Sequence, residues 1–87
     1  MKLQETIINI KNITHPQAYF NEATHTLELF VWQKDGMYRR LYSCSGNKIR
    51  LQLKQYVGQY TYAKRINTTY IIVCRYQSVN IISCPFS

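Results

Sequence analysis

The β-branched and aromatic residues of this chain constrain its fold more than any other feature. The sequence contains ten Ile, eight Tyr, seven Thr and four Val but only three Ala. Such side chains fit the pleated, half-buried surface of a sheet, whereas Ala favours helices. Many of them recur with a period of two residues, as strands require. A chain of 87 residues has room for one domain, residues 1–87, with one modest core. The sequence therefore predicts a single, mainly β domain.

Turn residues divide the apolar runs into short strands. The clearest signal is Asp35-Gly36, because this pair accepts the positive φ angles of a tight hairpin turn. His15-Pro16 is expected to end the first strand, since proline has no N–H for the ladder. The predicted strands are Thr6–Ile13, Thr26–Gln33, Met37–Cys44, Gln59–Ile66, Thr69–Tyr76 and Val79–Ser83. Five or six short strands fit a small Greek-key barrel or a sandwich-like sheet.

The segment after Ser45-Gly46-Asn47 fits two structures. As a strand, Ile49, Leu51 and Leu53 alternate with polar residues. As a helix, the same segment would place Leu51 on its polar face. The periodicity alone favours the strand.

Charge is distributed unevenly along the chain. The formal net charge is +7, and no acidic residue follows Asp35. Residues 1–33 carry a balance of −1 and residues 34–87 a balance of +8. Such a field favours a polyanionic partner, with nucleic acid first and an acidic membrane or protein surface second. The plainer alternative is that a basic surface only keeps the protein soluble.

The residues that catalysis or metal binding requires are absent or badly spaced. The four carboxylates are unpaired, and no glycine-rich phosphate loop is present. The candidate ligands of a metal lack the short spacing of a zinc site: His15, His25, Cys44, Cys74 and Cys84. We predict no catalytic residue, no cofactor and no metal, and we expect reduced thiols. No apolar run reaches the length of a membrane span, and no signal peptide is evident, so we expect a soluble, cytoplasmic protein without a membrane partner.

Aromatic residues interleaved with basic ones are the chemistry that remains. Phe30 and Trp32 lie on the face of their strand opposite Leu27, Leu29 and Val31, so they either close a second core or are displayed. A displayed ring stacks on any base, and neighbouring Lys or Arg side chains neutralise phosphates without reading sequence. The alternative for each tyrosine is that it only fills the core of a small sheet.

Seven short segments follow one another along the chain in a characteristic order. They are Asn9–Pro16, Tyr19-Phe20-Asn21, Thr26–Leu29, Ser45-Gly46, Gln55-Tyr56-Val57, Gly58 and Tyr60-Thr61-Tyr62. This order, from about Ile7 to Ile82, resembles bacterial single-stranded-DNA-binding proteins of the OB-fold class. The resemblance implies a small five-stranded OB-like Greek-key barrel and a role in DNA replication. Because this family has a helix between its third and fourth strands, it also revives the helical interpretation of Lys48–Tyr56.

Two differences from that family limit which of its properties we expect in this protein. Pro85-Phe86 lies near the end of the sequence as printed, but no acidic tail precedes it, so recruitment of partners through such a tail is not expected. Cys44 and Ser45 occupy the place where the family often has an aromatic residue. The compactness suits a protein of a phage, plasmid or other mobile element.

The leading hypothesis is noncatalytic, largely sequence-independent binding of single-stranded DNA, with RNA as a possible ligand. The residues expected to stack on bases are Phe30, Trp32, Tyr42, Tyr60 and Tyr62. Those expected to contact phosphates are Lys34, Arg39, Arg40, Lys48, Arg50, Lys54, Lys64, Arg65 and Arg75. A register shift of one residue would turn Tyr42 inward and Arg39 outward.

Two other functions stay open. One is a small basic protein-interaction module, an inhibitor or adaptor that binds an acidic partner surface, since Tyr, Trp and Arg are typical of interface hot spots. The other is a duplex-DNA binder that uses a β-ribbon. Open strand edges in so small a sheet also lead us to expect a homodimer or a higher homo-oligomer.

Overall fold

A computed structural model describes residues 5, 7–10 and 14–86, and in that part of the chain it contains strands but no helix. The strands are β1 Thr14–Asn21, β2 Thr26–Gln33, β3 Gly36–Ser45, β4 Lys48–Gly58, β5 Tyr62–Arg65, β6 Tyr70–Arg75 and β7 Ser78–Ser83. Sheet A has the order β1-β2-β3-β4 and sheet B the order β5-β6-β7, and every neighbouring pair is antiparallel. No ladder among the described residues joins the two sheets, so they do not close into a barrel. The prediction of a mainly β fold is confirmed.

Most predicted strands form close to their predicted positions. β2 has the predicted bounds, and Lys34 and Asp35 form the turn that leads into β3. Residues 48–58 form strand β4, as the periodicity predicted, and the helix implied by the resemblance over Lys48–Tyr56 is not formed. β5 is shorter than the predicted Gln59–Ile66.

The first predicted strand is wrong where the structure describes it. Residues 7–10 lie outside any strand, and β1 instead runs through His15-Pro16; Thr6 and residues 11–13 lie outside the described residues. The β1–β2 register shifts between Thr14 and Gln17. β1 tolerates Pro16 because β1 is an edge strand of sheet A. The register shift leaves Pro16 without a paired residue on β2, so no ladder hydrogen bond from its nitrogen is required.

The apolar core lies between the two sheets. Phe30 and Met37 from sheet A pack with Ala63, Ile71 and Val73 from sheet B. We call the face of each sheet that contributes to this core its inner face and the opposite face its outer face. Phe30 is only 2% exposed, so of the two alternatives left by the sequence it closes a core. Sheet B packs on the side of β2 that carries Phe30; on the opposite side Leu27 and Leu29 are half-buried and Val31 is fully buried.

A buried ion cluster also joins the two sheets. Glu28 of β2 is fully buried, and its carboxylate accepts hydrogen bonds from Arg39 Nε of β3 at 2.6 Å and from Arg65 Nε of β5 at 2.9 Å. Arg65 also donates Nη2 to the same carboxylate, which makes the pair bidentate. Burial lowers the pKa of the Arg65 guanidinium, but the hydrogen bond and charge of Glu28 outweigh that effect and raise the pKa above its ordinary value.

The last described residues cover this cluster, which has one more cation than anions. Arg65 Nη1 donates to the carbonyl oxygen of Cys84 at 2.6 Å, and Arg39 Nη2 donates to that of Pro85 at 3.4 Å. The ring of Phe86 lies with its centroid 5.3 Å from the Arg65 guanidinium carbon and 5.8 Å from that of Arg39. Carbonyl oxygens and an aromatic face both attract cations, so they compensate the excess positive charge.

Candidate nucleic-acid interface

Two hairpin turns border an open cleft. They are the β2–β3 turn and the β6–β7 turn, and the segment between β4 and β5 lies in the same cleft. The cleft volume is about 280 Å³. Its lining residues are Trp32, Lys34, Asp35, Gly36, Gln59, Tyr60, Thr61, Arg75 and Tyr76. Three aromatic rings and two cations therefore surround one opening.

Two glycines allow the chain to approach closely at this cleft. A Cβ on Gly36, whose φ is +135°, would lie 2.6 Å from the carbonyl oxygen of Gly58. A Cβ on Gly58, whose φ is +149°, would lie 2.6 Å from the ring of Tyr60. Both conformations are in the region that favours glycine. Gly58 thus makes room for the Tyr60 ring in the wall of the cleft.

Tyr76 is the most exposed large hydrophobic residue among those described. It is 92% exposed, and its backbone φ is +52°, in the left-handed region that bulky residues rarely adopt. The Arg75 guanidinium lies 5.7 Å from the centroid of the Tyr76 ring. Strained backbone of this kind costs about 1–3 kcal/mol and is concentrated at functional sites. Tyr76 therefore displays its ring at a conformational cost that core packing does not explain.

The cleft carries a small positive charge. Lys34 and Arg75 are cations, and Asp35 is the one acidic residue in its lining. The Asp35 carboxylate accepts a hydrogen bond of 2.6 Å from the Tyr38 hydroxyl. This hydrogen bond, with smaller contributions from burial and from the charge of Asp35, raises the pKa of Tyr38 above its ordinary value.

The cleft brings together four of the residues predicted from the sequence. These are Trp32, Lys34, Tyr60 and Arg75, and Trp32 is 39% exposed. Tyr76 completes the aromatic set although it is absent from the predicted stacking residues. Its position at the end of the predicted strand Thr69–Tyr76, just before the break that precedes Val79, is the sequence signal that indicates its exposure.

Four other predicted residues do not present their side chains to a ligand. Phe30 and Tyr42 are buried, so a base cannot stack on either ring. Arg39 and Arg65 are buried in the ion cluster with Glu28. Their predicted role as phosphate contacts is therefore corrected: their charge is used inside the protein, because sheet B covers the face of sheet A from which Arg39 projects.

The remaining predicted residues lie on surfaces outside the cleft. Arg40 and Lys54 lie opposite each other on β3 and β4. Lys48 and Arg50 line a separate opening of about 270 Å³ with Ser43 and Ser45 near the β3–β4 turn. Tyr62 and Lys64 alternate with buried Ala63 and Arg65 on β5, which places both on the outer face of sheet B. The predicted set is therefore spread over several surfaces of the protein.

The described residues contain no group of three His, Cys, Asp or Glu side chains that could hold a metal ion. Nor do they contain a helix long and apolar enough to cross a membrane. Comparisons with protein-family models, with curated proteins and with solved structures found no match to this chain. The chemistry of the cleft is therefore derived from its own residues.

Proposed function

We propose that this protein binds single-stranded DNA without catalysis and with little sequence preference, through the cleft between its two hairpin turns. The observation that carries the proposal is that exposed Trp32 and Tyr76 and half-buried Tyr60 line one cleft with Lys34 and Arg75. Every base has a face that stacks on an aromatic ring, and each such contact contributes roughly 1–3 kcal/mol. Lys34 and Arg75 supply the phosphate contacts, which position a strand without reading its sequence.

The aromatic rings of the cleft favour a single strand over a duplex. Stacking on Trp32 or Tyr76 needs a base whose face is free, whereas the bases of a duplex are stacked on each other. Single-stranded RNA also offers free base faces and phosphates, so it is the second candidate ligand of the cleft. An OB-like function would agree with the resemblance in the sequence, although the two sheets here do not close into a barrel.

The test measures fluorescence anisotropy of a labelled oligonucleotide of about twelve thymidines, a length within the range bound by single domains of this kind. Arg75→Gln removes a cation from the cleft, and Arg50→Gln removes one near the β3–β4 turn. Arg50 pairs with Ser43, which lies seven residues from Gly36 along β3, or about 23 Å at about 3.3 Å per residue. We expect Arg75→Gln to weaken binding roughly fivefold more than Arg50→Gln.

Three results would contradict parts of this proposal. Equal losses in the two variants would mean that binding follows the overall charge and not the cleft. Tighter binding to a duplex of the same sequence would favour a β-ribbon reader of double-stranded DNA. Tighter binding to an RNA of the matching sequence would show that the ligand is RNA and not DNA.

The outer face of sheet B favours contact with protein rather than with nucleic acid. Strand pairing places Tyr62, Tyr70, Ile72, Cys74, Val79 and Ile81 on this face with one cation, Lys64. Val79 and Ile81 on edge strand β7 are 63% and 65% exposed. Edge strand β4 of sheet A carries Lys48, Arg50 and Lys54, which oppose strand pairing, whereas edge strand β7 carries no charge.

We propose that a second copy of this chain covers this face. Two chains of charge +7 repel each other, so they associate most readily through a surface with few charges. Light scattering after size-exclusion chromatography would test this with Ile81→Lys and with Leu51→Lys, a control at an exposed apolar residue of edge strand β4 in sheet A. We expect a dimer for the wild type and the control and a monomer for Ile81→Lys. A monomeric wild type would overturn self-association and favour the protein-interaction alternative.

A further inference from the structure

Two cations face each other on the outer face of sheet A. Arg40 of β3 and Lys54 of β4 are directly opposed in the strand register. Like charges at such positions destabilise a sheet. Their neighbours on β2 and β3 on this face are Leu29, Tyr38 and Tyr42, and the one carboxylate of β2, Glu28, is buried on the inner face. No acidic side chain of these strands offsets the repulsion.

The Arg40 side chain is held in place but incompletely hydrogen-bonded. Its Nη1 donates to the Tyr42 hydroxyl at 2.9 Å. Its Nε is buried and has no hydrogen-bond acceptor among the described residues. Lys54 is also positioned, because its Nζ lies 4.8 Å from the centroid of the Tyr38 ring. An external anion cannot contact the enclosed Nε, but the Nη end of Arg40 and the Nζ of Lys54 offer it two positioned cations that no carboxylate of these strands neutralises.

A short path of aromatic contacts joins this pair to the cleft. Tyr38 and Tyr56 pack edge to face with ring centroids 5.3 Å apart. Both hydroxyls donate to Asp35, Tyr38 to the carboxylate and Tyr56 to the carbonyl oxygen at 3.0 Å. Asp35 itself lines the cleft. The surface therefore runs from the cleft past two tyrosine rings to Arg40 and Lys54.

From this arrangement we infer that Arg40 and Lys54 form a second subsite, which binds a phosphate of the same nucleic-acid strand that occupies the cleft. The inference rests on the proposed function and deepens it, since it gives the direction in which the strand leaves the cleft. The strand passes the β2–β3 turn, crosses Tyr38 and Tyr56, and places a phosphate between the two cations. That phosphate removes the like-charge repulsion between β3 and β4.

Oligonucleotide length separates the second subsite from the cleft. The probes are oligonucleotides of about two and about twelve thymidines. Arg40 lies four residues from Gly36 along β3, or about 13 Å at about 3.3 Å per residue, so the shorter probe cannot occupy the cleft and the pair together. Lys54→Gln is compared with Lys64→Gln, which removes the same charge from the outer face of sheet B. We expect Lys54→Gln to weaken binding of the long probe roughly threefold to tenfold and to reduce its salt slope by about 1, with the short probe unchanged. Lys64→Gln should leave both probes nearly unchanged.

The possible failures are distinguishable. If Lys54→Gln and Lys64→Gln weaken the long probe equally, or if Lys54→Gln weakens the short probe as much as the long one, the second subsite is overturned while the cleft remains. If neither probe binds the wild-type protein at low salt, the proposed function fails and the subsite fails with it. Unfolding midpoints of the variants in urea exclude loss of the fold as the cause.

Discussion

Replacement of Tyr76 by glycine separates a binding role from a structural role. Tyr76 contributes almost nothing to the core, since it is 92% exposed, and its φ of +52° is unfavourable for a tyrosine. Glycine adopts this φ freely, which removes about 1–2 kcal/mol of strain. The greater chain entropy of unfolded glycine offsets about 0.5–1 kcal/mol of that gain. Loss of the Arg75 contact with the exposed ring offsets about 0.5 kcal/mol more.

These contributions nearly cancel in the folded protein but not in the complex. We expect the free energy of unfolding of Tyr76→Gly to lie within about 0.5 kcal/mol of the wild-type value, measured by urea denaturation. Loss of one stacked base should weaken binding of the oligonucleotide by about 1–3 kcal/mol, or about fivefold to 140-fold in Kd. If Tyr76 had only a structural role, Tyr76→Gly would lower the free energy of unfolding and leave the affinity for the oligonucleotide unchanged.

Two results would refute this reasoning. Unchanged affinity with unchanged stability would show that no base stacks on Tyr76. A loss of stability above about 1 kcal/mol would show that the strain at its backbone is compensated by packing, and any loss of affinity would then be indirect. Tyr76→Phe serves as the matched control, because it keeps the ring and the backbone strain and should bind as the wild type does.

Three further predictions concern the fold. Glu28→Gln leaves two buried guanidinium groups without their carboxylate and should lower the free energy of unfolding in urea by about 3–5 kcal/mol, whereas exposed Glu22→Gln should change it by less than about 0.5 kcal/mol. Phe86→Ala should lower it by about 1–3 kcal/mol, since the ring covers the ion cluster; no change would contradict that role. Asp35→Asn should lower the pKa of Tyr38 towards about 10, as followed by absorbance at alkaline pH. Because the folded pKa is raised, this hydrogen bond stabilises the fold below pH about 10 and is lost as pH rises through the Tyr38 pKa.

Local pattern predicted the strands better than it predicted which of their faces is buried. β2 and the hairpin at Asp35-Gly36 follow from alternation and turn chemistry, both of which are written in a few neighbouring residues. Which side of β2 is buried depends on where sheet B packs, and that contact joins residues far apart in sequence. The alternation therefore separates the two faces of β2, but it does not show that Phe30 packs against sheet B while Leu27 and Leu29 stay half-buried.

The candidate site was predictable only in part for the same reason. Exposure of Trp32, Lys34 and Arg75 follows from their positions at strand ends next to turns. The burial of Arg39 and Arg65 depends on Glu28, which is 11 residues from the first and 37 from the second along the chain. No local pattern reports such a pairing, so both arginines look like free cations in the sequence.

The most direct test of the central claim follows the fluorescence of Trp32 while the protein is titrated with unlabelled oligothymidine. Trp32 is the single tryptophan of the chain and lies in the cleft, so its emission reports on that site alone. The proposed function predicts saturable quenching at low salt, with log K falling linearly as log salt concentration rises. Binding detected by anisotropy without any change in Trp32 emission, or no binding at low salt, would contradict it.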